Sequence, residues 1–144
     1  MAKIVSLNVS TSKGESKEPV DSVVVRPDHG VEGDAHAGDW HRQISLLAME
    51  SIDLMIAKGA ELKPGDFAEN ITTEGIDLAN LPIGTRLISG GVEMEITQIG
   101  KKCHAKCNIF TKVGDCIMPR QGVFAKVIKG GALHRGAEIT VAGG

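Results

Sequence analysis

At 144 residues, 42% hydrophobic and 24% charged, the chain has the make-up of one soluble domain spanning 1–144 and is too short for two of ordinary size. Sixteen Lys and Arg against eighteen Asp and Glu leave a formal charge of −2, which excludes a global basic field for nucleic acid or an anionic membrane. Three Phe, one Trp and no Tyr leave the core to Val, Ile, Leu, Met and Ala, while 18 glycines, against an average usage of about 7%, predict tight turns between short strands.

In chain order, Ile4 to Val9 is strand-like, and Ser10 to Glu18, rich in Ser and Lys, is expected to be an exposed loop. Val20 to Arg26, with three successive valines, is expected to form a strand buried on both faces, stopped by Pro27. Asp28 to Asp39 has no period and should be a loop; it is chemically crowded, with three Gly, two His and four acids. Arg42 to Leu47 is a short strand. The period then changes to 3.6, with Ala48, Met49, Ile52, Met55 and Ile56 on one face and Gly59 as the stop, which predicts a helix. From Asp66 short strands return. Thr85 to Ser89, Gly90-Gly91 and Val92 to Ile99 form a hairpin signature whose second arm alternates apolar and polar residues. Gly122 to Ile128 and Ala137 to Ala142 add two strands around a turn at Lys129-Gly130-Gly131. The expected fold is mainly β: a small, closed or partly closed β-barrel of short strands with one or two helices.

No secretory leader is visible at Met1 to Ser10, and the apolar runs are far shorter than a membrane span. A cytoplasmic protein is therefore expected, with reduced thiols and no membrane or nucleic-acid partner. All three cysteines fall between Lys101 and Arg120, where five basic residues (Lys101, Lys102, Lys106, Lys112, Arg120) face one acid, Asp115. That window carries +4 and leaves −6 for the rest of the chain. Lys102 and Lys106 flank Cys103 and Cys107, and neighbouring positive charge favours the thiolate, the form that acts as nucleophile or soft-metal ligand. Cys116, beside Ile117 and Met118, reads equally as a small core residue. A zinc site from Cys103, His104, Cys107 and Cys116 has the right ligand types but no second close pair. The loop bearing His29, Asp34, His36, Asp39 and His41 reads either as metal ligands or as polar turn residues. Asn70 reads either as a hydrogen-bonding contact to a heterocycle or as a group that satisfies backbone at a strand bend.

Five pieces in order resemble one family. They are Gly33-Asp34-Ala35-His36, Arg42 to Leu47 before a helix, Gly65-Asp66-Phe67-Ala68-Glu69-Asn70-Ile71, Leu81-Pro82-Ile83-Gly84-Thr85-Arg86-Leu87, and the step Lys106-Cys107. Their combination is similar to the MOSC domain, found at the C-terminus of molybdenum-cofactor sulfurases and in amidoxime-reducing proteins. The resemblance implies a pyruvate-kinase-barrel-like β fold that binds the molybdenum cofactor, a molybdopterin, or carries sulfur on a cysteine. It assigns Cys107 as the reactive thiol and the ligand to molybdenum; Cys103, four residues earlier and not part of the family's pattern, reads as a resolving thiol or a second carrier. Asn70, His36 and Arg42, with Lys101, Lys102, Lys106 and Arg120, are the expected cofactor-binding residues. Partners implied are a sulfur donor such as a cysteine desulfurase, or a molybdoenzyme acceptor. The pyridoxal-phosphate domain of the sulfurases is not expected in this chain, nor is an electron-transfer module.

Three functions follow as expectations: a cofactor and sulfur carrier acting through Cys107; a molybdenum-dependent reductase of N-hydroxylated compounds at the same site; and a zinc-stabilised binding module. The sequence leaves open whether the protein is an enzyme.

Overall fold

The computed structural model describes residues 2–10, 17–34, 37–40, 43–57, 69–100 and 122–142. The strands are β1 (Lys3–Val9), β2 (Glu18–Val20), β3 (Ser22–Arg26), β4 (Gly30–Val31), β5 (Ile44–Ala48), β6 (Ile71–Glu74), β7 (Arg86–Ser89), β8 (Val92–Ile99), β9 (Val123–Lys129), β10 (Gly131–His134) and β11 (Thr140–Val141). One α-helix, α1 (Met49–Ala57), follows β5, and a 3-10 turn spans Leu78–Asn80. None of the described helices is long and apolar enough to cross a membrane.

Eight strands form one sheet in the order β11-β7-β8-β9-β5-β6-β1-β2, and β10-β3-β4 form a second. The large sheet is curled without being closed by a continuous ladder. Bulges in β1, between Ile4 and Ser6, and in β8 bend it. Residues 136–139 then bridge its two sides. Ile4 N–H donates to the Ala137 carbonyl (2.8 Å), Gly136 N–H donates to the Ile4 carbonyl (2.7 Å), and the Ser89 hydroxyl donates to the Glu138 carbonyl (2.7 Å).

The hairpin β7–β8 forms at the predicted place, with Gly90 at φ 59°, a conformation that costs a glycine little. Val92, Met94 and Ile96 point inward and are fully buried. Glu93 and Glu95 point outward, where Arg86 and Lys126 pair with them. Both sheets share one aliphatic core, to which β1 gives Ile4 and Leu7, β5 gives Ile44 and Leu46, and the small sheet gives Val25, Val31 and Leu133.

Three expectations are corrected. Val20 to Arg26 is two strands broken at Asp21, and β3 is not buried on both faces: Val25 is buried but Val24 is 46% exposed, because β3 belongs to the small sheet and has the core on one side only. The apolar stripe of α1 is narrower than expected; Ile52 is fully buried while Ile56 is 40% exposed. The strand expected over Ala137 to Ala142 shortens to Thr140–Val141, and β10 forms directly after β9 because Gly130 makes the bend.

Thr73 places a buried hydroxyl among Ile4 and Ala48 on the core face of β6, with no hydrogen-bond partner among the described residues. An unpaired interior hydroxyl costs free energy that a methyl of the same shape does not. Thr73→Val is therefore expected to raise stability by about 1 kcal/mol in urea unfolding, whereas Leu46→Ala is expected to lower it by about 2–5 kcal/mol.

Candidate functional site

The large sheet is antiparallel except at β5 and β6, which run parallel with Leu46 beside Ile71. β1 runs against β6 with Leu7 beside Ile71. The C-terminal end of β1 therefore lies between β2 and the N-terminal end of β6, with the N-terminal end of β5 next beyond. Leu7, Ile71 and Leu46 turn into the core; their alternating neighbours Ser6, Asn8, Thr72 and Ser45 turn to the other face. That face is closed as well. Leu47 and Ile52 are fully buried apart from the main core, and all four polar residues are buried.

Asn70, just before β6, joins the three strand ends. Its Oδ1 accepts from the Ser45 N–H (3.0 Å) and the Ser45 hydroxyl (3.2 Å), and its Nδ2 donates to the Asn8 carbonyl (3.2 Å). The Asn70 N–H donates to the Ser45 carbonyl (2.9 Å), and the Asn70 carbonyl accepts from the Asn8 N–H (2.8 Å). The amide thus satisfies backbone at a strand bend, one of the two uses its sequence context allows.

Beside it lies a second set of bonds. The Ser6 hydroxyl donates to Asn8 Oδ1 (2.8 Å); Asn8 Nδ2 donates to the Glu69 carbonyl (3.2 Å) and to Thr72 Oγ1 (3.3 Å); Thr72 Oγ1 donates to Glu69 Oε2 (2.8 Å). Asn8, Glu69 and Thr72 are each fully buried.

The Asp34 loop arrives at the same end of β1. Gly30, at φ 111°, packs so closely on the start of β5 that a Cβ there would stand 2.5 Å from the Gln43 carbonyl oxygen. Gln43 in turn accepts the Val127 N–H on its Oε1 (3.0 Å). Asp34 Oδ1 accepts from the Ser10 N–H (3.0 Å) and from Lys17 Nζ (2.6 Å), and both charged side chains are fully buried. Lys17 is thus not part of an exposed loop, as its Ser- and Lys-rich neighbourhood suggested. A buried lysine is tolerable only when paired, and Asp34 is that pair.

The Leu81–Leu87 piece is a turn into β7, held by the Gly84 N–H on the Ile96 carbonyl (2.8 Å) and the Thr85 hydroxyl on the Pro82 carbonyl (2.6 Å). Cys103, Cys107, Cys116, Lys101, Lys102, Lys106, Arg120, His36 and Arg42 lie outside the described residues. Their flanks are placed. The Gly100 N–H donates to the Gly122 carbonyl (2.7 Å), so the two glycines that flank residues 101–121 meet at one point between β8 and β9. β9 neighbours β5 with Val123 beside Leu46 and Phe124 beside Ser45, which puts Gly122 roughly 7 Å along the sheet from the Ser45 row at about 3.3 Å per residue. Among the described residues no three His, Cys, Asp or Glu side chains gather as a metal cage.

Asn8, Lys17, Glu69 and Thr72 are the site residues that sequence reasoning did not single out. The available signal was slight: polar Ser6 and Asn8 interrupt an otherwise apolar β1 on one face.

A sequence profile of the MOSC domain matches residues 32–140, most of the chain. The chain belongs to the MOSC domain family. In fold this MOSC chain is similar to the YuaD protein of Bacillus subtilis, with a TM-score of 0.79 at 20% identity over 96% of this chain and 93% of that one. It is similar to YiiM of Geobacillus stearothermophilus (TM-score 0.72, 20% identity, 99% of this chain and 75% of that one). YiiM of Escherichia coli gives a TM-score of 0.73 at 17% identity over 100% and 71%. Among curated proteins none matches.

MOSC domains are associated with the molybdenum cofactor. Buried amide, hydroxyl and carboxylate groups converge at the strand ends, the chemistry that would suit the organic part of such a group, though the bonds above tie them to one another; among the described residues no bare-ion cage forms.

The Lys17–Asp34 pair yields a direct expectation. Asp34→Asn or Lys17→Met leaves one buried charge without its partner and is expected to cost about 3–5 kcal/mol. Replacing both, as Lys17→Met with Asp34→Leu, should recover most of that loss in a double-mutant cycle followed by thermal unfolding.

Proposed function

We propose that this MOSC protein binds a molybdopterin-type cofactor against the ends of β1, β5 and β6 and handles sulfur through Cys107. The observation that carries the reading is convergence. The Asp34 loop, the start of β5 and the Glu69–Asn70 step lie together at the end of β1, and β9, which follows the basic, cysteine-bearing segment, pairs with β5.

In this reading Lys101, Lys102, Lys106 and Arg120 hold the phosphate of the cofactor, since their clustered charge suits an anion. His36 follows Asp34 by two residues and Arg42 precedes Gln43, so both belong to the chain segments that reach the cluster. Asn70 acts by fixing the strand ends. When bound, the cofactor supplies a molybdenum centre with affinity for sulfur ligands, and Cys107 is the thiolate offered to it.

Sulfur handling needs only the thiolate and a persulfide donor. The Cys107 thiolate attacks the outer, sulfane sulfur of the donor; the donor S–S bond breaks, its thiolate leaves with the electron pair, and a Cys107 persulfide forms with no net oxidation. A cysteine desulfurase is the class of protein that carries such a donor, and a molybdoenzyme the class that consumes the product. Cys103, four residues earlier, is a second thiol for the same exchange.

The protein treated with a persulfide donor is expected to release thiocyanate on cyanolysis, and Cys107→Ser to lose at least about nine tenths of it, consistent with the thiolate being the nucleophile. Molybdopterin binding, followed by pterin fluorescence, should weaken about tenfold or more in the same variant. Equal binding together with no cyanolysable sulfur in the wild type rules out the role given to Cys107.

A further inference from the structure

After β10 the chain runs as a strap, residues 135–142, between β1 and β7, and links two strands that the ladder order of the large sheet keeps far apart. On the β1 side the Gly136 N–H donates to the Ile4 carbonyl (2.7 Å), the Ile4 N–H to the Ala137 carbonyl (2.8 Å) and the Ile139 N–H to the Ala2 carbonyl (3.1 Å). On the β7 side Thr140 and Val141 pair with Ile88 and Leu87, the Ala142 N–H donates to the Arg86 carbonyl (2.8 Å), and the Ser89 hydroxyl donates to the Glu138 carbonyl (2.7 Å).

The strap spans this seam with little apolar cohesion. Ile139 is its one buried side chain; Arg135, Gly136, Glu138 and Thr140 are exposed. β8 and β9, by contrast, pair from Glu93 beside Lys129 to Ile99 beside Val123 and bury Val92, Met94, Ile96, Val123, Ala125 and Val127. Apolar burial is the main cohesive term, so detaching the strap costs far less than parting β8 from β9.

The loosely held region also has a boundary within β1. The strap bonds β1 over Ala2–Ile4, and a bulge between Ile4 and Ser6 then interrupts the ladder. Beyond the bulge Leu7–Val9 pair with β2, and the Asn8 N–H donates to the Asn70 carbonyl (2.8 Å). Those bonds do not involve the strap.

We propose that residues 135–142 are a latch on the curled sheet: in the folded protein they detach from β1 and β7 and reseat as one unit, while the Asn8 end of β1 and its polar cluster stay in place. Ile139 is the anchor of the latch and Ser89 its side-chain catch. The sheet thus opens along one seam without loss of the ordered strand ends.

Residue-resolved amide hydrogen exchange on the full chain tests this. The amides of Ile4, Gly136, Ile139 and Ala142 all donate across the seam, and are expected to share one protection factor, about tenfold or more below those of Asn8 and Ile96. Ile4 is the deciding position because it belongs to β1 and not to the strap. Progressive loosening from Ala142 backward would leave Ile4 as protected as Asn8, and that pattern overturns the inference. Ser89→Ala is expected to lower the protection of all four amides by a common factor of about threefold or more; a response limited to some of them, or none, shows that they do not open together. Val127→Ala, in β9, should lower the protection of Ile96 about tenfold and leave the four latch amides unchanged, because β9 remains folded when the latch opens. Should that variant not fold, low urea on the wild type gives the same readout: protection falls at Asn8 and Ile96 and holds nearly level at the latch, whose opening exposes less surface. An equal response at all six positions means that the seam opens only with the whole molecule, and there is no latch.

Discussion

Among the described strands β5 and β6 are the one parallel pair, and the rest of the site follows from that pairing. A parallel partner has to be reached by a crossover of a dozen or more residues, and the stretch between Ala48 and Ile71, beginning with α1, provides it. The two strands then start side by side at the edge where antiparallel β1 ends. Three strand termini in one place bring unpaired backbone donors and acceptors that must be satisfied once buried. Asn70 and Ser45 meet that demand with side chains where the ladder stops, which is why a polar cluster exists in an interior otherwise filled by aliphatic residues.

The two faces of β5 differ in what they hold together. On one, Ile44 and Leu46 pack with residues of both sheets and supply non-directional cohesion. On the other, Ser45 and its neighbours are constrained by bond geometry, so small changes in shape matter more there than changes in hydrophobicity. The Lys17–Asp34 pair extends this ordered region to the segment after β1, because Ser10 and Lys17 both bond one carboxylate oxygen and are drawn together by it. Gly30, with no room for a side chain, keeps the loop that bears Asp34 against the start of β5.

Much of this is legible in the sequence. Alternation and a two-glycine turn defined β7 and β8, a 3.6-residue period defined α1, and the order of five short motifs pointed to the MOSC family that the profile match over residues 32–140 identifies. The β3 valines misled because a run of branched residues is compatible with one buried face as well as two. Lys17 was hidden by its neighbours: composition averages over a stretch, whereas burial is settled by one partner, and Asp34 is 17 residues away. Asn8 and Thr72 were hidden for a related reason. A polar residue alternating with apolar ones reads as the solvent face, and only pairing across 64 positions shows that it is enclosed. Asn70 stood out because it follows Glu69 in a recognisable motif, yet its bonds to Ser45 and Asn8 depend on the register of three strands, which a motif does not carry.

The single hydrogen bond between Gly100 and Gly122 gives the sheet an unusual economy of commitment. β8 and β9 pair along their length, and the Gly100–Gly122 bond fixes both ends of the 21-residue connection 101–121 at one place on the sheet. Closing a connection on two fixed points costs a free energy that grows with the logarithm of its length, about 0.6 kcal/mol per doubling. Because the β8–β9 ladder itself sets where both ends of the connection stand, a change in the connection's length alone adds little closure cost, and the register of the two strands carries no memory of how many residues join them.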